Sequence, residues 1–422
     1  MKDAPFSRFG TQLSAHCGIL ELMDDLGQAM TGGGLCMMGG GNPAVIPEVA
    51  TLWRHRLGEL VESGEIDAVL GHYDPPQGNP RVIRALAALL RREYGWPVTP
   101  ENIVVTPGGQ TAFFLLFNLL AGEFGDGSRR KILLPLMPEY IGYANQGHCG
   151  EFFRAIPPRI TGHGERRFKY EIDFERLTVD SGVGAVCVSR PTNPTGNVLS
   201  DAEIEHLRRD CGEREIPLII DNAYGAPFPG IVFQEIRPVW DEGVILTMSL
   251  SKLGLPGVRT AFLVAEPRIA RAVAAMNAVT ALSNNNLGQA LVLPLLESGE
   301  LLRVCREVIR PFYEAKRGRA LAWLEEALGE GFPWRVHESE GAMFLWVEFP
   351  RLPGSAAELY RELKREGVLV VPGHYFFYGL DEEHPHAERC VRLTFSQPDA
   401  EVQRGLAVFG RTLRRLHGVS QR

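Results

Sequence analysis

The chain has 422 residues, 45% of them hydrophobic and 23% charged, with a formal net charge of −7. That length can bury a large core and exceeds one typical domain, and the composition is that of an ordinary globular protein. The acidic balance provides no basic footprint for nucleic acid and no polybasic patch for anionic lipid, so partners of either kind are not expected.

No fixed-period repeat or low-complexity segment interrupts the chain. The glycine-rich "TGGGLCMMGGGNP" near its start reads as neither stable helix nor strand. "NPRVIRALAALLRREYG" reads as a helix capped by Asn79, with Pro80 in its first turn. "ENIVVTPGGQTAFFLLFNLLAG" reads as strand, glycine turn and buried helix. Strands then follow at "KILLPLMP", "GAVCVSRP", "IPLIIDNAY", "GVILTMSL" and "RTAFLVAE", with a helix at "SDAEIEHLRRDCGERE". Near-continuous apolar strands between helices predict an α/β fold with a mostly parallel sheet covered on both faces.

The rhythm changes near residue 300. "LLRVCREVIRPFYEAKRGRALAWLEEAL" is a long helical pattern that Pro311 interrupts. After it come "GAMFLWVEFP", the helix "SAAELYRELKREG", "VLVVPG", "CVRLTFS" and a last helix from about Asp399. This predicts a smaller α+β domain over 299–422, a large α/β domain over 51–298, and an N-terminal segment, 1–50, packed on the small domain.

Seven cysteines, at 17, 36, 149, 187, 211, 305 and 390, are scattered and form no CxxC pair. A disulfide framework or thiolate zinc site is not expected, and no metal is. Cys187, inside "AVCVS", reads as a small buried hydrophobe. "MKDAPFSRFG" lacks the apolar stretch of a signal peptide and no run reaches membrane-spanning length, so a reducing, cytoplasmic setting is expected.

Ligands of open α/β sheets bind outside the carboxyl ends of the strands. Five apolar runs end there in groups with chemical uses. Gly108, Gly109 and Gln110 open a helix whose N–H groups could hold a phosphate, or form a plain turn. Tyr140 follows the next run and could stack on a flat ring or join the core. Asn193, in an Asn-Pro turn, and Tyr224 can donate to a phenolate oxygen. Asp221 ends a buried run, where it either caps a turn or meets a cation such as a protonated pyridine nitrogen. Ser249 and Arg259 could complete an anion site, although an arginine alone is usually a surface charge. Lys252 among them would be a desolvated, nucleophilic amine able to form a Schiff base with an aldehyde. Phosphate, aldehyde, pyridine nitrogen and phenolate together describe pyridoxal phosphate.

"SRPTNPTGN", "DNAYG" and "SLSKLGLPGVR", in this order, resemble the fold-type I pyridoxal-phosphate aminotransferases over nearly the whole chain. "MPEYIGY", "DNAYGAPFPGI", "MSLSKLGLPG", "FNLLAG" and "VPGHYFF" are similar to the valine–pyruvate branch of that family. The resemblance implies a sheet of seven strands, one of them antiparallel. It implies that Lys252 is the Schiff-base lysine and that Asp221 pairs with the pyridinium. Asn193 and Tyr224 would bond the phenolate oxygen, with Asn193 also touching the substrate carboxylate. Gly108, Gly109, Gln110, Ser249 and Arg259 would hold the phosphate, and Tyr140 would stack on the ring. Arg392, in "VRLTFS", would fork onto the substrate α-carboxylate beside the Gly41 backbone. Tyr73, in "GHYDPPQGNP", would reach the neighbouring subunit's cofactor, which implies a homodimer with shared sites. The phosphate turn of such proteins often has a hydroxyl where this chain has Gly109, so only backbone donors are expected there.

The implied reaction is ping-pong transamination between a branched or aliphatic amino acid and a 2-oxo acid, with L-valine and pyruvate giving 3-methyl-2-oxobutanoate and L-alanine. The aromatic-rich "GHYFFYG" suits a branched side chain or ordinary core packing equally. β-Elimination or aminocyclopropane-carboxylate synthase-type cyclisation on the same site is the alternative. A ligand-sensing regulator would need a DNA-binding domain, for which the N-terminus is too short. A nicotinamide-dependent dehydrogenase would need a GxGxxG turn opening a helix, which is missing.

Overall fold

The computed structural model describes residues 6–32, 35–148 and 150–419. Cys149, the first five residues and Gly33 and Gly34 of the glycine-rich stretch therefore lie outside the described residues.

The main strands, in chain order, are β1 (Ile103–Thr106), β2 (Arg129–Leu134), β3 (Phe153–Ala155), β4 (Arg159–Gly162), β5 (Arg167–Glu171), β6 (Val183–Ser189) and β7 (Leu218–Asp221). They continue with β8 (Val244–Ser249), β9 (Ala261–Val264), β10 (Arg335–His337), β11 (Phe344–Glu348), β12 (Val371–Pro372) and β13 (Cys390–Thr394). The large sheet has the order β1-β9-β8-β7-β6-β2-β3, and the two-residue strand Gly122–Glu123 beside β2 makes it eight-stranded. Of the seven longer members only β9 runs antiparallel, to both β1 and β8.

Both faces of this sheet are buried, which is why its strands read as unbroken apolar runs. Val104, Ile132, Cys187, Ile219, Ile245 and Leu263 point to one face, under helices Gly109–Leu120 and Pro267–Ala281. Val105, Leu133, Val186, Ile220, Leu246 and Phe262 alternate with them and point to the other. Helices Pro80–Tyr94, Asp201–Gly212 and Asn286–Ser298 bury their apolar stripes in that second core. Asn79 caps its helix through Arg81 N–H at 3.0 Å, with Pro80 in the first turn.

The second sheet, β12-β13-β11-β10-β5-β4, contains a hairpin from the middle of the chain. Residues 159–171 leave the large sheet after β3, and β5 pairs parallel with β10. Phe168 and Tyr170 are buried on alternate positions of β5, so its apolar face closes the core of this second sheet. The hairpin thus crosses the division expected at residue 298.

Two expectations are corrected. The glycine-rich N-terminal stretch is not free of regular structure: helix Gly18–Gly32 runs into it, and Cys36–Met37 pairs parallel with Val368–Leu369. Leu35, Cys36, Met37 and Met38 are four apolar residues between the glycines, enough for a short strand whose side chains reach the core. Pro311 also does not break its helix. A π-turn at Cys305–Ile309 absorbs the missing N–H and the ring's bulk, and the helix continues over Arg310–Leu328.

β6 packs so closely on the end of helix Gly109–Leu120 that a Cβ on Gly184 would lie 1.7 Å from the carbonyl oxygen of Leu120. Gly184→Ala is therefore expected to lower the unfolding free energy by about 1–3 kcal/mol, read by urea denaturation.

Candidate active site

The anion-holding part of the site is built by the antiparallel strand β9. Its Ala261 pairs with Ser249 of β8 on one side and Thr106 of β1 on the other. Arg259, two residues before Ala261, therefore meets Gly108, two residues after Thr106. Gly108 has φ +88°, and a Cβ there would sit 2.1 Å from Arg259 Nη2, so only glycine fits. Arg259 Nη1 donates to Ser251 Oγ at 3.3 Å and to the Pro256 carbonyl at 3.2 Å. Ser249 Oγ donates to Ser251 Oγ at 3.0 Å. Helix Gly109–Leu120 starts beside this cluster, with first-turn N–H groups that have no intrahelical acceptor. No atom lies within 4 Å of a Cβ placed on Gly109, so the space a hydroxyl side chain would use is open. The Gln110 side chain turns elsewhere and donates to the Gly142 carbonyl at 2.8 Å.

Asp221 closes β7 at the floor of the cavity and is 7% exposed. Its Oδ1 accepts from Ala223 N–H at 2.8 Å and Thr247 Oγ1 at 3.4 Å, and its Oδ2 accepts from Tyr143 O–H. Burial raises its carboxyl above the ordinary range, while these donors and Lys252 pull it back. Lys252 follows β8. Its Nζ donates to the Gly41 carbonyl at 2.5 Å and lies 5.3 Å from the centre of the Tyr224 ring. Burial pushes this amine down to about 8, helped by the Arg392 and Arg259 cations and opposed by Asp221.

Arg392 lies on β13 opposite Trp346 of β11 and is 1% exposed. Nη1 donates to Asn193 Oδ1 and Nη2 to the Gly39 carbonyl, each at 2.6 Å. Its guanidinium lies 4.3 Å from the Phe344 ring centre and 5.3 Å from that of Phe376. Burial lowers it to about 10, and its Nε is buried without a partner. Such an arginine, with no carboxylate among the described residues paired to it, is poised for an anion from outside.

One cavity of about 540 Å³ joins these groups. Gly41, Gly109, Gln110, Tyr140, Asn193, Asp221, Tyr224, Ser249, Lys252, Arg259 and Arg392 line it. Gly108 sits behind Arg259. Tyr73 is apart from the cavity and 81% exposed. Three contributions are not legible in the sequence alone. Tyr143, three residues beyond Tyr140, holds Asp221. Ser251 sits between Ser249 and Arg259; the Ser-x-Ser spacing was its only signal. Ile19, Leu22 and Met23 of helix Gly18–Gly32 form an apolar wall.

The donor set fits pyridoxal phosphate. Serines, an arginine and a helix N-terminus answer a phosphate, a buried carboxylate answers a ring N–H, and an amine of lowered basicity answers an aldehyde. The orphaned Nε of Arg392 leaves a second anion subsite for a substrate carboxylate.

The family model for class I and II aminotransferases matches residues 64–409. The chain is 43% identical to the valine–pyruvate aminotransferase of Escherichia coli K12, covering 97% of this chain and 98% of that one. It superposes on the valine–pyruvate aminotransferase of Salmonella typhimurium LT2 with a TM-score of 0.88 at 43% identity, over 96% of this chain and 100% of that one. On a Psychrobacter arcticum protein described as an amino-acid aminotransferase the TM-score is 0.94 at 41% identity, over 99% and 100% of the two chains. The chain is a pyridoxal-phosphate enzyme of the class I and II aminotransferase family.

Proposed function

We propose that the protein transfers the amino group between L-valine and pyruvate, giving 3-methyl-2-oxobutanoate and L-alanine. The observation that carries this reading is the sorting of charge around the cavity. Among the described residues that line it, the cations are Lys252, Arg259 and Arg392. One arginine answers a phosphate and the other a single α-carboxylate, so a second substrate carboxylate has no partner. Ile19, Leu22 and Met23 instead offer an aliphatic side chain an apolar wall. The extent of identity to the Escherichia coli enzyme supports the same choice.

Bound pyridoxal phosphate supplies the electron sink for the pair left at Cα when its proton departs. In this reading Lys252 would anchor the cofactor, and its Nζ is the base placed to move the Cα proton. Asp221, oriented by Tyr143, would hold a proton on the ring nitrogen. Asn193 and Tyr224 would stabilise the phenolate oxygen, and Tyr140 would support the ring face. Ser249, Ser251, Arg259 and the backbone at Gly108–Gln110 would hold the phosphate. Arg392 would orient the substrate carboxylate, with Asn193 and Gly41 beside it.

The proposal includes a homodimer in which Tyr73 reaches the neighbouring cofactor. Leu70, Tyr73, Val279 and Leu282 are 73%, 81%, 88% and 59% exposed, and hydrogen bonds from Asn277 and Ser283 hold loop 72–76 beside the last two. An exposed apolar group of this kind supports an interface. The proposal keeps a large unit over 51–298, apart from the hairpin at 159–171 that joins the small sheet, and a small unit over 299–422; the pairing of Cys36–Met37 with Val368–Leu369 supports placing segment 1–50 on the small unit. The free cysteines among the described residues are in keeping with a reducing cytoplasm. No helix of the described residues is long and apolar enough to cross a membrane.

The purified protein, mixed with single amino acids, should convert its cofactor to pyridoxamine phosphate with valine and alanine, and far less with aspartate or glutamate. Lys252→Ala should lose both the borohydride-reducible cofactor link and turnover; near-normal turnover would remove Lys252 from its role. Arg392→Ala should lower kcat/KM about 10- to 150-fold for every amino acid, the equivalent of ~1.5–3 kcal/mol from a charge-assisted fork. An unchanged value would mean that another cation reads the carboxylate. The lowered basicity of Lys252 makes its amine cationic below about pH 8 and neutral above it. In cofactor-free protein, labelling of Lys252 by an amine-selective reagent should therefore rise with a midpoint near pH 8, well below that of an ordinary lysine.

A further inference from the structure

Behind the cavity wall lies a buried carboxylate that none of the roles above uses. Glu139 follows β2 and is 2% exposed. Three donors converge on it, and among the described residues no cation pairs with it. Oε1 accepts from Ser189 N–H at 2.9 Å, and Oε2 accepts from Ser189 Oγ at 2.8 Å and Tyr140 N–H at 2.9 Å. Ser189 and Tyr140 both line the cavity, and Ser189 is paired across the ladder with Asp221.

Burying a carboxylate beside neutral donors alone disfavours its charged form, because the ion loses its hydration. Burial pushes Glu139 up to about 8, and the nearby Asp221 acts in the same direction. The donors that offset this cost all belong to two residues of the site. The same glutamate touches a third segment: its own N–H donates to the Phe376 carbonyl at 3.0 Å, and the Phe376 ring lies against Arg392. Tyr378 O–H adds a bond to the Tyr140 carbonyl at 2.9 Å. Both backbone polar groups of Tyr140 are thus held, the N–H by Glu139 and the carbonyl by Tyr378.

We propose that Glu139 is a positioning residue whose buried carboxylate fastens the Tyr140 platform to the end of β6, and so fixes the ring-binding wall in register with Asp221. It goes beyond the substrate reading and rests only on pyridoxal phosphate occupying the cavity. Glutamine has nearly the same shape but presents an NH₂ where one oxygen accepted. In Glu139→Gln the amide must oppose Tyr140 N–H or Ser189 N–H, and one tether is lost.

The test uses full-length cofactor-free protein reloaded with pyridoxal phosphate. Glu139→Gln should weaken cofactor binding at least about tenfold, the equivalent of ~1.4 kcal/mol. It should also change the visible circular-dichroism band of the bound cofactor, which reports how the ring is held. A lower melting temperature with unchanged dissociation constant and unchanged circular dichroism would reduce Glu139 to a fold-stabilising residue and overturn the proposal. Should Glu139→Gln not fold, Ser189→Ala removes one donor and keeps the carboxylate. It should shift the same two readouts in the same direction by a smaller amount; no shift overturns the proposal. Failure of wild-type protein to bind pyridoxal phosphate would instead defeat the cofactor assignment, so the two failures are distinguishable.

Discussion

The parallel ladder that pairs Ser189 with Asp221, and Asp221 with Thr247, sets the geometry on which the site depends. β6 and β7 end at one level, at Ser189 and Asp221, and Thr247, two residues before the end of β8, lies beside them, so three polar residues stand side by side. Side chains alternate between faces, and a one-residue slip of β7 would turn Asp221 away from the cavity. The register is held by apolar side chains on both faces of the sheet, not by the polar residues it presents. Stability and chemistry therefore depend on different atoms of the same strands.

That arrangement stores unbalanced charge. Among the described residues Arg392 is buried without a carboxylate partner, and Lys252 donates to a carbonyl. Asp221 and Glu139 are buried with hydroxyl and N–H donors as their direct partners. Each of these groups sits where burial opposes its charged form, and neutral dipoles offset only part of that cost. A ligand with a phosphate, a ring N–H and a carboxylate would answer Arg259, Asp221 and Arg392 in turn. Binding energy is thereby directed at groups that must be oriented for proton transfer at Cα.

The features legible in the sequence were those written as contrast. A polar or aromatic residue at or soon after the end of an apolar run stands out, so Asp221, Asn193, Ser249, Lys252 and Tyr140 are legible as candidates without a fold, and the structure brings all five to one cavity. Strand direction is not written in composition: "RTAFLVAE" resembles its parallel neighbours, yet β9 runs against them. That reversal, which the family likeness implied but residue patterns did not, brings Arg259 to Gly108. Hairpin β4–β5 was missed because it is half-buried and joins a sheet whose other strands lie more than 160 residues on. Tyr143 and Glu139 are not legible because their value lies in partners across the fold. Both were in plain view in "MPEYIGY", but nothing in that string indicates which tyrosine hydroxyl faces Asp221.

The glycine strip Gly39–Gly41 joins the two halves of the site. Lys252, at the end of a large-sheet strand, donates to the Gly41 carbonyl; Arg392, on the second sheet, donates to that of Gly39. The strip must lie close to the second sheet: a Cβ on Gly39 would meet the Val370 carbonyl at 3.1 Å. The next segment is anchored as well, since Ser396 Oγ donates to the Asn42 carbonyl at 2.7 Å. On its other side, helix Gly18–Gly32 is tied down by Lys364 Nζ on Asp25 at 2.6 Å and by Tyr375 O–H on Glu21. The N-terminal segment therefore presents two things from one anchored piece of chain: carbonyls that orient Lys252 and Arg392, and the apolar wall of Ile19, Leu22 and Met23. Shifting this piece would alter the reach of the amine, the aim of the guanidinium and the room for the substrate side chain together, which ties specificity to catalysis through geometry alone.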